Sequence, residues 1–134
     1  MKNKILVAVI ALVAVFLVGF VPQYVEASRL KTELRQSREE LAGAGLRDLI
    51  GQAYVQANQK NYGLAAESMN RYFNRVREVA NEKPDENHRK TFEALLPLRA
   101  KVTAELAGGD AAVMTDLQEL FARTQQATRA PKAQ

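Results

Sequence analysis

The chain has 134 residues, which is room for one ordinary domain and a short additional segment. Its formal net charge of +4 falls to +2 when the N-terminal Lys2 and Lys4 are set aside, and such a balanced body is unlike the basic surface of a nucleic-acid-binding protein. There is no cysteine, which excludes disulfides, thiolate metal sites and lipoprotein acylation.

The first element is an apolar segment. Seventeen consecutive residues, from Ile5 through Phe16 to Val21, carry neither a charge nor a hydrogen-bonding side chain. A membrane-spanning helix needs about 17–25 such residues, whereas the apolar core of a signal peptide has about 7–15. Val25 and Ala27 stand where a signal peptidase reads the chain, so cleavage after Ala27 is the alternative. The length favours a retained transmembrane anchor over residues 1–22.

The charges around this segment bear on its orientation. Lys2 and Lys4 adjoin the apolar run directly, whereas four cations on the other side begin eight residues past Val21, at positions 29, 31, 35 and 38. Cations close to a span set its topology. By number, the four beyond the run favour a cytoplasmic domain, but the two lysines lie closest to it. A basic start before an apolar run is also the usual form of an export signal. We expect a single-pass protein of the bacterial cytoplasmic membrane with its domain on the periplasmic or extracytoplasmic side.

A heptad seam follows the anchor. Its residues are spaced alternately three and four apart: Ala27, Leu30, Leu34, Ser37 and Leu41. The spacing predicts a coiled-coil stalk over residues 23–44 that can form a homo-oligomer. Two heptads are fewer than the three or four of a self-sufficient coiled coil, so we expect association only where the anchor confines the chains. Glycines at 43 and 45 are predicted to interrupt the helix, because glycine weakens a helix by about 1 kcal/mol.

Residues 45–128 show the 3.6-residue period of packed amphipathic helices. The pattern predicts an all-α domain of two antiparallel helical hairpins, arranged as a four-helix bundle or as tetratricopeptide-like repeats. Pro97 is expected to kink or split the third helix, and residues 129–134 read as a disordered tail. The predicted core residues are Leu49, Ile50, Met69, Tyr72, Phe73, Val76, Phe92, Leu117 and Phe121.

The domain contains a faint internal repeat, in which similar residues recur 48 positions later. The shift aligns the second and fourth predicted helices: Met69, Tyr72, Phe73 and Arg75 fall on Leu117, Leu120, Phe121 and Arg123. The turns resemble those of the tetratricopeptide-type hairpin, whose second helix begins with an aromatic-x-x-alanine pattern like "NYGLA" and whose tight turn is similar to "GD" at 109–110. The layout also resembles that of small single-pass bacterial membrane proteins. These resemblances imply protein–protein interaction.

The residues that could carry chemistry favour structural roles. Asp85 and His88 have the spacing of half a di-iron site, but His88 is the only histidine, so helix capping by Asp85 is the better interpretation. A cationic run at positions 71, 75 and 77 is interleaved with Glu67 and Glu78, as on a solvated helix face. No nucleophile–base pair or glycine-rich phosphate loop can be assembled. We therefore expect a protein that is not an enzyme and has no catalytic residue, cofactor or metal.

Three functions fit this organisation. The leading hypothesis is a membrane-anchored, non-enzymatic interaction or scaffold protein, such as an accessory subunit of a membrane complex. Its partners would be the lipid bilayer, other proteins and a second copy through the stalk, with no nucleic acid. The first alternative is a cleaved, exported helical bundle that binds a small ligand. The second is a structural transmembrane subunit of a cofactor-bearing complex.

Overall fold

The computed structural model describes residues 1–82 and 84–129, with Val21 as backbone only. The prediction of an all-α chain is confirmed: the described residues form helices and turns and contain no strand. The chain divides into two compact units, Met1–Arg38 and Glu39–Gln134, and residues 130–134 of the predicted tail lie outside the described residues. The helices are α1 Lys2–Asn58, α2 Tyr62–Asn81, α3 Glu86–Glu93, α4 Arg99–Gly108 and α5 Val113–Ala127.

Helix α1 runs without a break through residues 43–45, so the predicted interruption there was wrong. Gly43 serves close packing instead. A Cβ atom on Gly43 would lie 3.0 Å from the Cβ of Thr128, whereas a Cβ on Gly45 would meet nothing within 4 Å. Both Ala42 and Gly43 are buried. The folded unit therefore begins at Glu39, earlier than the predicted boundary at residue 45.

Side chains cap the starts of α2 and α3. After α1 the chain turns at Lys60, which has a φ of 60°, and the side chain of Asn61 accepts the N–H of Leu64 at the start of α2. Asp85 caps α3, where its Oδ1 accepts the N–H of Asn87 at 3.0 Å. Such caps satisfy backbone donors that have no partner inside the helix. The capping role predicted for Asp85 is confirmed.

Pro97 divides the third predicted helix, as the sequence indicates. The α-helix α3 ends at Glu93, a short 3-10 turn covers Leu96–Leu98, and α4 begins at Arg99. Proline lacks the N–H that an α-helix would need at this point and its ring clashes with the preceding turn. The two short helices can consequently lie on α2 separately.

Helix α2 is the central element of the second unit. It packs against α3 and α4, and its side chains hydrogen-bond to Gln56 of α1 and Thr124 of α5. Of the predicted core, Leu49 and Phe121 are half-buried against this cluster. The remaining seven predicted residues are buried: Ile50, Met69, Tyr72, Phe73, Val76, Phe92 and Leu117.

The burial pattern repeats along the chain. Buried positions of α2 recur on α5 at a shift of 48: 65, 68, 69, 72 and 76 match 113, 116, 117, 120 and 124. Buried positions of α1 recur on α3 and α4 at a shift of 49: 43, 46, 53 and 57 match 92, 95, 102 and 106. The change from 49 to 48 means that the second connection is one residue shorter than the first. The two halves of the unit thus bury equivalent faces.

Candidate functional site

The apolar segment of α1 presents its side chains outward. Among the described residues it is long and apolar enough to cross a membrane, and its apolar stretch is not buried. Leu12, Val15 and Val18 are 73%, 74% and 75% exposed. Of the residues predicted to mark the span, Ile5 and Phe16 are likewise exposed, and the side chain of Val21 lies outside the described residues. An exposed apolar surface of this length matches the surface that a membrane-spanning helix presents to lipid.

The residues of the predicted seam also face outward. Leu30, Leu34 and Leu41 are 62%, 55% and 72% exposed, and Ala27 and Ser37 are exposed as well. Scattered exposed leucines are ordinary on protein surfaces, but these recur at the heptad spacing of one helix face. The seam therefore forms a mainly apolar stripe, interrupted by Ser37, that is exposed among the residues the structure describes.

Two shallow surface depressions lie beside this stripe, on the first unit. One is lined by residues between Tyr24 and Glu33 and the other by residues between Pro22 and Glu33. All of the lining residues belong to α1. A site for a small ligand encloses most of the ligand surface, which the side chains of one helix cannot do. These depressions are part of the helix surface rather than a ligand pocket.

Two polar groups inside the second unit are satisfied by neighbouring helices. Thr124 donates its hydroxyl hydrogen to the carbonyl oxygen of Leu120, so Tyr72 must be the donor in the 2.6 Å contact with Thr124 Oγ1. Burial raises the pKa of Tyr72 to about 12. One turn earlier on α2, Ser68 donates to Gln56 Oε1 at 2.7 Å. Both bonds tie α2 to its neighbours and leave no polar group of theirs aimed at a ligand.

A carboxyl pair lies between α4 and α5 that the sequence analysis missed. Asp116 is 5% exposed, and Lys101 Nζ contacts its two oxygens at 2.9 and 2.8 Å. The hydrogen bond from Lys101 lowers the pKa of Asp116. Burial, together with the neighbouring Asp116, raises the pKa of Glu105. Lysine and acids at positions 101, 105 and 116 were visible in the sequence, but only the packing of α4 on α5 brings them together.

The structure gives His88 a structural partner. Its Nε2 donates to the carbonyl oxygen of Val79 at 2.8 Å, near the end of α2, and its ring lies 4.8 Å from that of Phe92. Within 1–82 and 84–129, no group of three His, Asp or Glu side chains could hold a metal ion. His88 thus joins α2 to α3, a role that the sequence could not indicate because its acceptor is a backbone atom.

The arginines of α2 form the solvated face that the sequence predicts. Arg71 lies 3.9 Å from Glu67, and Arg75 lies 2.8 Å from Glu78. These exposed pairs contribute little to stability. Since Arg71 and Arg75 each lie beside a glutamate, this face is not a concentrated anion-binding surface.

Comparison of the chain with protein-family models, curated proteins and solved structures finds no match. The candidate functional surface is therefore defined by the chain itself. It comprises the apolar run and the seam of α1, both exposed, and it contains no residue with a catalytic geometry among those that the structure describes.

Proposed function

We propose that this protein is a membrane-anchored, non-enzymatic interaction or scaffold protein. The observation that carries the proposal is the exposure of the apolar run on α1, whose most apolar window is not buried at all. An unburied run of this length is stable in contact with lipid and unstable in water. The anchor holds the helical unit at a membrane surface.

The interaction role rests on the second unit and on the seam. The buried hydroxyls of Tyr72 and Ser68 are occupied in tying helices together, and groups engaged in this way are not available for catalysis. The repeated burial on α2 and α5 supports an arrangement of two stacked hairpins akin to the tetratricopeptide type. Proteins built from such repeats typically present extended surfaces to other proteins. An accessory subunit of a membrane complex fits this description.

The location that we propose is a bacterial cytoplasmic membrane crossed once, with the helical unit on the extracytoplasmic side. Lys2 and Lys4 adjoin the apolar run and would stay on the cytoplasmic side. Protease added to intact spheroplasts should digest the unit, and protection of the unit would reverse the orientation.

Membrane extraction tests the anchor. Full-length protein should stay with membranes after alkaline carbonate and high salt, and its mass should include residues 1–27. Leu12→Glu combined with Val13→Glu should release it, because each charge in the bilayer centre costs about 2.5–3.5 kcal/mol. The matched control, Thr32→Glu with Gln36→Glu on the exposed helix beyond the run, should remain bound. A soluble form that begins at Ser28 would overturn the anchor.

That soluble form would support the second candidate, an exported helical bundle. It is favoured by one observation, the position of Val25 and Ala27 immediately after an N-terminal apolar run. A structural subunit of a cofactor-bearing complex is the remaining alternative. It predicts a stoichiometric set of copurifying chains and an absorbing cofactor after mild detergent extraction, whereas an interaction protein would copurify without the cofactor.

A further inference from the structure

The flanks of the seam carry an ordered pattern of charge. In a heptad labelled a to g, Ala27, Leu34 and Leu41 occupy a, and Leu30 and Ser37 occupy d. The positions beside them then follow from the register: g holds residues 26, 33 and 40, and e holds residues 31 and 38. Every g residue is a glutamate and both e residues are cations: Glu26, Glu33, Glu40, Lys31 and Arg38.

This arrangement selects one orientation of two helices. In a parallel pair, g of one helix lies beside the e that follows it by five residues on the other helix, which joins Glu26 to Lys31 and Glu33 to Arg38 across the interface. In an antiparallel pair, g faces g and e faces e, so glutamates would oppose glutamates and cations would oppose cations. Like charges in this position destabilise a pair. All five of these side chains are exposed in the single chain.

The seam also has defined limits. The a position after Leu41 is Asp48, and the d position after Ala44 is Gly51. A charge and a glycine cannot act as apolar knobs in a coiled coil. Contact through this face is consequently restricted to about two heptads that end near Leu41, just where Ala42 and Gly43 turn to the core of the second unit.

We propose that the seam binds a second copy of this chain in a parallel, in-register coiled coil. The proposal rests on the membrane anchor of the proposed function, because two copies inserted in the same sense have parallel helices from the outset. The anchor also raises the effective concentration of the stalks. Two heptads that are too short to pair in dilute solution can then pair on a membrane.

Cysteine cross-linking in membranes tests the contact, since the natural chain has no cysteine. Ser37→Cys stands at a d position and should form a disulfide-linked dimer, because in-register d residues of two copies face each other. The control, Thr32→Cys, stands at f on the opposite side of the helix and should give several-fold less dimer. Equal yields from the two variants, or no dimer from Ser37→Cys, would overturn the proposal.

Mixing the variants Leu30→Cys and Leu41→Cys tests the orientation. In an antiparallel pair d residues face a residues, which would bring Leu30 of one copy beside Leu41 of the other, so the heterodimer would predominate. A parallel pair should instead yield mainly the Leu41→Cys homodimer together with the Leu30→Cys homodimer. Predominance of the heterodimer would contradict the parallel arrangement.

Charge reversal tests the partner. On the Ser37→Cys background, Lys31→Glu with Arg38→Glu makes both g–e pairs acidic on both sides, and Glu26→Lys with Glu33→Lys makes the same two pairs basic on both sides. Each variant alone should lose cross-linking several-fold, and coexpression should restore it in a mixed dimer. Unchanged cross-linking in the single variants, or failure of the mixture to recover, would show that these charges face something other than a second copy.

The same samples test the dimer and the membrane anchor independently. Carbonate extraction is applied to each variant before cross-linking is quantified. Protein that stays in the membrane but does not form the Ser37→Cys dimer overturns the dimer and leaves the anchor intact. Protein that is released into solution and still forms the dimer overturns the anchor and leaves the seam intact.

Discussion

Gly43 and Gly45 stand two residues apart on α1 in unlike surroundings. The Cα of Gly43 faces Thr128, and an added Cβ would approach the Thr128 Cβ to 3.0 Å. Gly45 has open space around it within 4 Å. The helix bears the conformational penalty of two glycines, and the structure provides a packing reason for one of them.

The same substitution should therefore act oppositely at the two positions. Gly45→Gln should raise the free energy of unfolding by about 0.5 kcal/mol, because glutamine is the better helix former. Gly43→Gln should lower it by about 1–3 kcal/mol, because the side chain must displace Thr128. Chemical denaturation of the detergent-solubilised full chain measures both, and equal effects would show that the approach to Thr128 is not tight.

The two carboxyls between α4 and α5 respond to pH in opposite senses. Asp116 has a lowered pKa, so its contribution to stability is present above its ordinary pKa and lost as the pH falls through the folded value. Glu105 has a raised pKa, so its contribution is present below its ordinary pKa of 4.5 and lost as the pH rises through the folded value. At neutral pH, Glu105 therefore weakens the site that Lys101 and Asp116 hold together.

Glu105→Gln should remove that penalty. We expect a higher unfolding midpoint than the parent at about pH 7, and an advantage that disappears as the pH falls towards the ordinary pKa of glutamate. Glu119→Gln, on the exposed face of α5, is the control and should show no such pH-dependent gain. Thermal unfolding from about pH 4 to pH 8 checks the sign, and an advantage that grows in acid would contradict it.

At the scale of elements, α2 holds the second unit together. Phe73 is fully buried on it and lies 5.2 Å from the ring of Tyr72, while Arg99 of α4 stands 5.8 Å above the Phe73 ring. Phe121 occupies the matching position of α5 at the shift of 48, but it is only half-buried. The two phenylalanines are thus equivalent in the repeat and unequal in burial.

Phe73→Ala should lower the free energy of unfolding by about 3–5 kcal/mol, enough to unfold many small domains. Phe121→Ala should cost clearly less, since part of its ring already contacts solvent. Loss of cooperative melting in the first variant and its retention in the second is the expected result. Similar losses in both would mean that α2 and α5 contribute equally.

The helices also show how much of the fold can be predicted from the sequence. Apolar periodicity located the buried face of α2, and Pro97 correctly predicted the division between α3 and α4, because both signals act within a few residues. The prediction for Gly43 was wrong, because the sequence does not distinguish a glycine that interrupts a helix from one that allows close packing, here against Thr128. Likewise, the acceptor of His88 is a backbone carbonyl, which no residue pattern encodes.

At the scale of the whole molecule, the sequence located the apolar run and the seam, and both are exposed in the structure. It could not locate the pair of Lys101 and Asp116, because their contact depends on how α4 lies against α5. Surfaces that are defined by a local periodicity can thus be predicted from the sequence, whereas contacts between helices distant along the chain cannot. The function proposed for this chain rests on surfaces of the first kind.

The contact between Arg47 and Thr128 has a consequence for the connectivity of the second unit. Arg47 Nη1 donates to Thr128 Oγ1 at 2.6 Å, so the part of α1 near the start of the unit lies beside the end of α5. Further along the same helices, Gln118 donates to Tyr54, and a Cβ on Gly109 would lie 3.5 Å from the Tyr62 ring. The turns at 59–61 and 109–112 thus lie together at the other end.

A unit whose ends adjoin can be circularly permuted. A chain that starts at Asn61, continues through Thr128 and a short glycine–serine linker into Ala42, and stops at Gln59 should fold as cooperatively as residues 39–129. The same rearrangement with its new ends between Tyr72 and Phe73 should not fold, because it cuts the helix that every other helix touches. Joining the adjacent ends would make the unit a closed ring. The order of the helices in this chain is then only one of the orders that the same fold can accommodate.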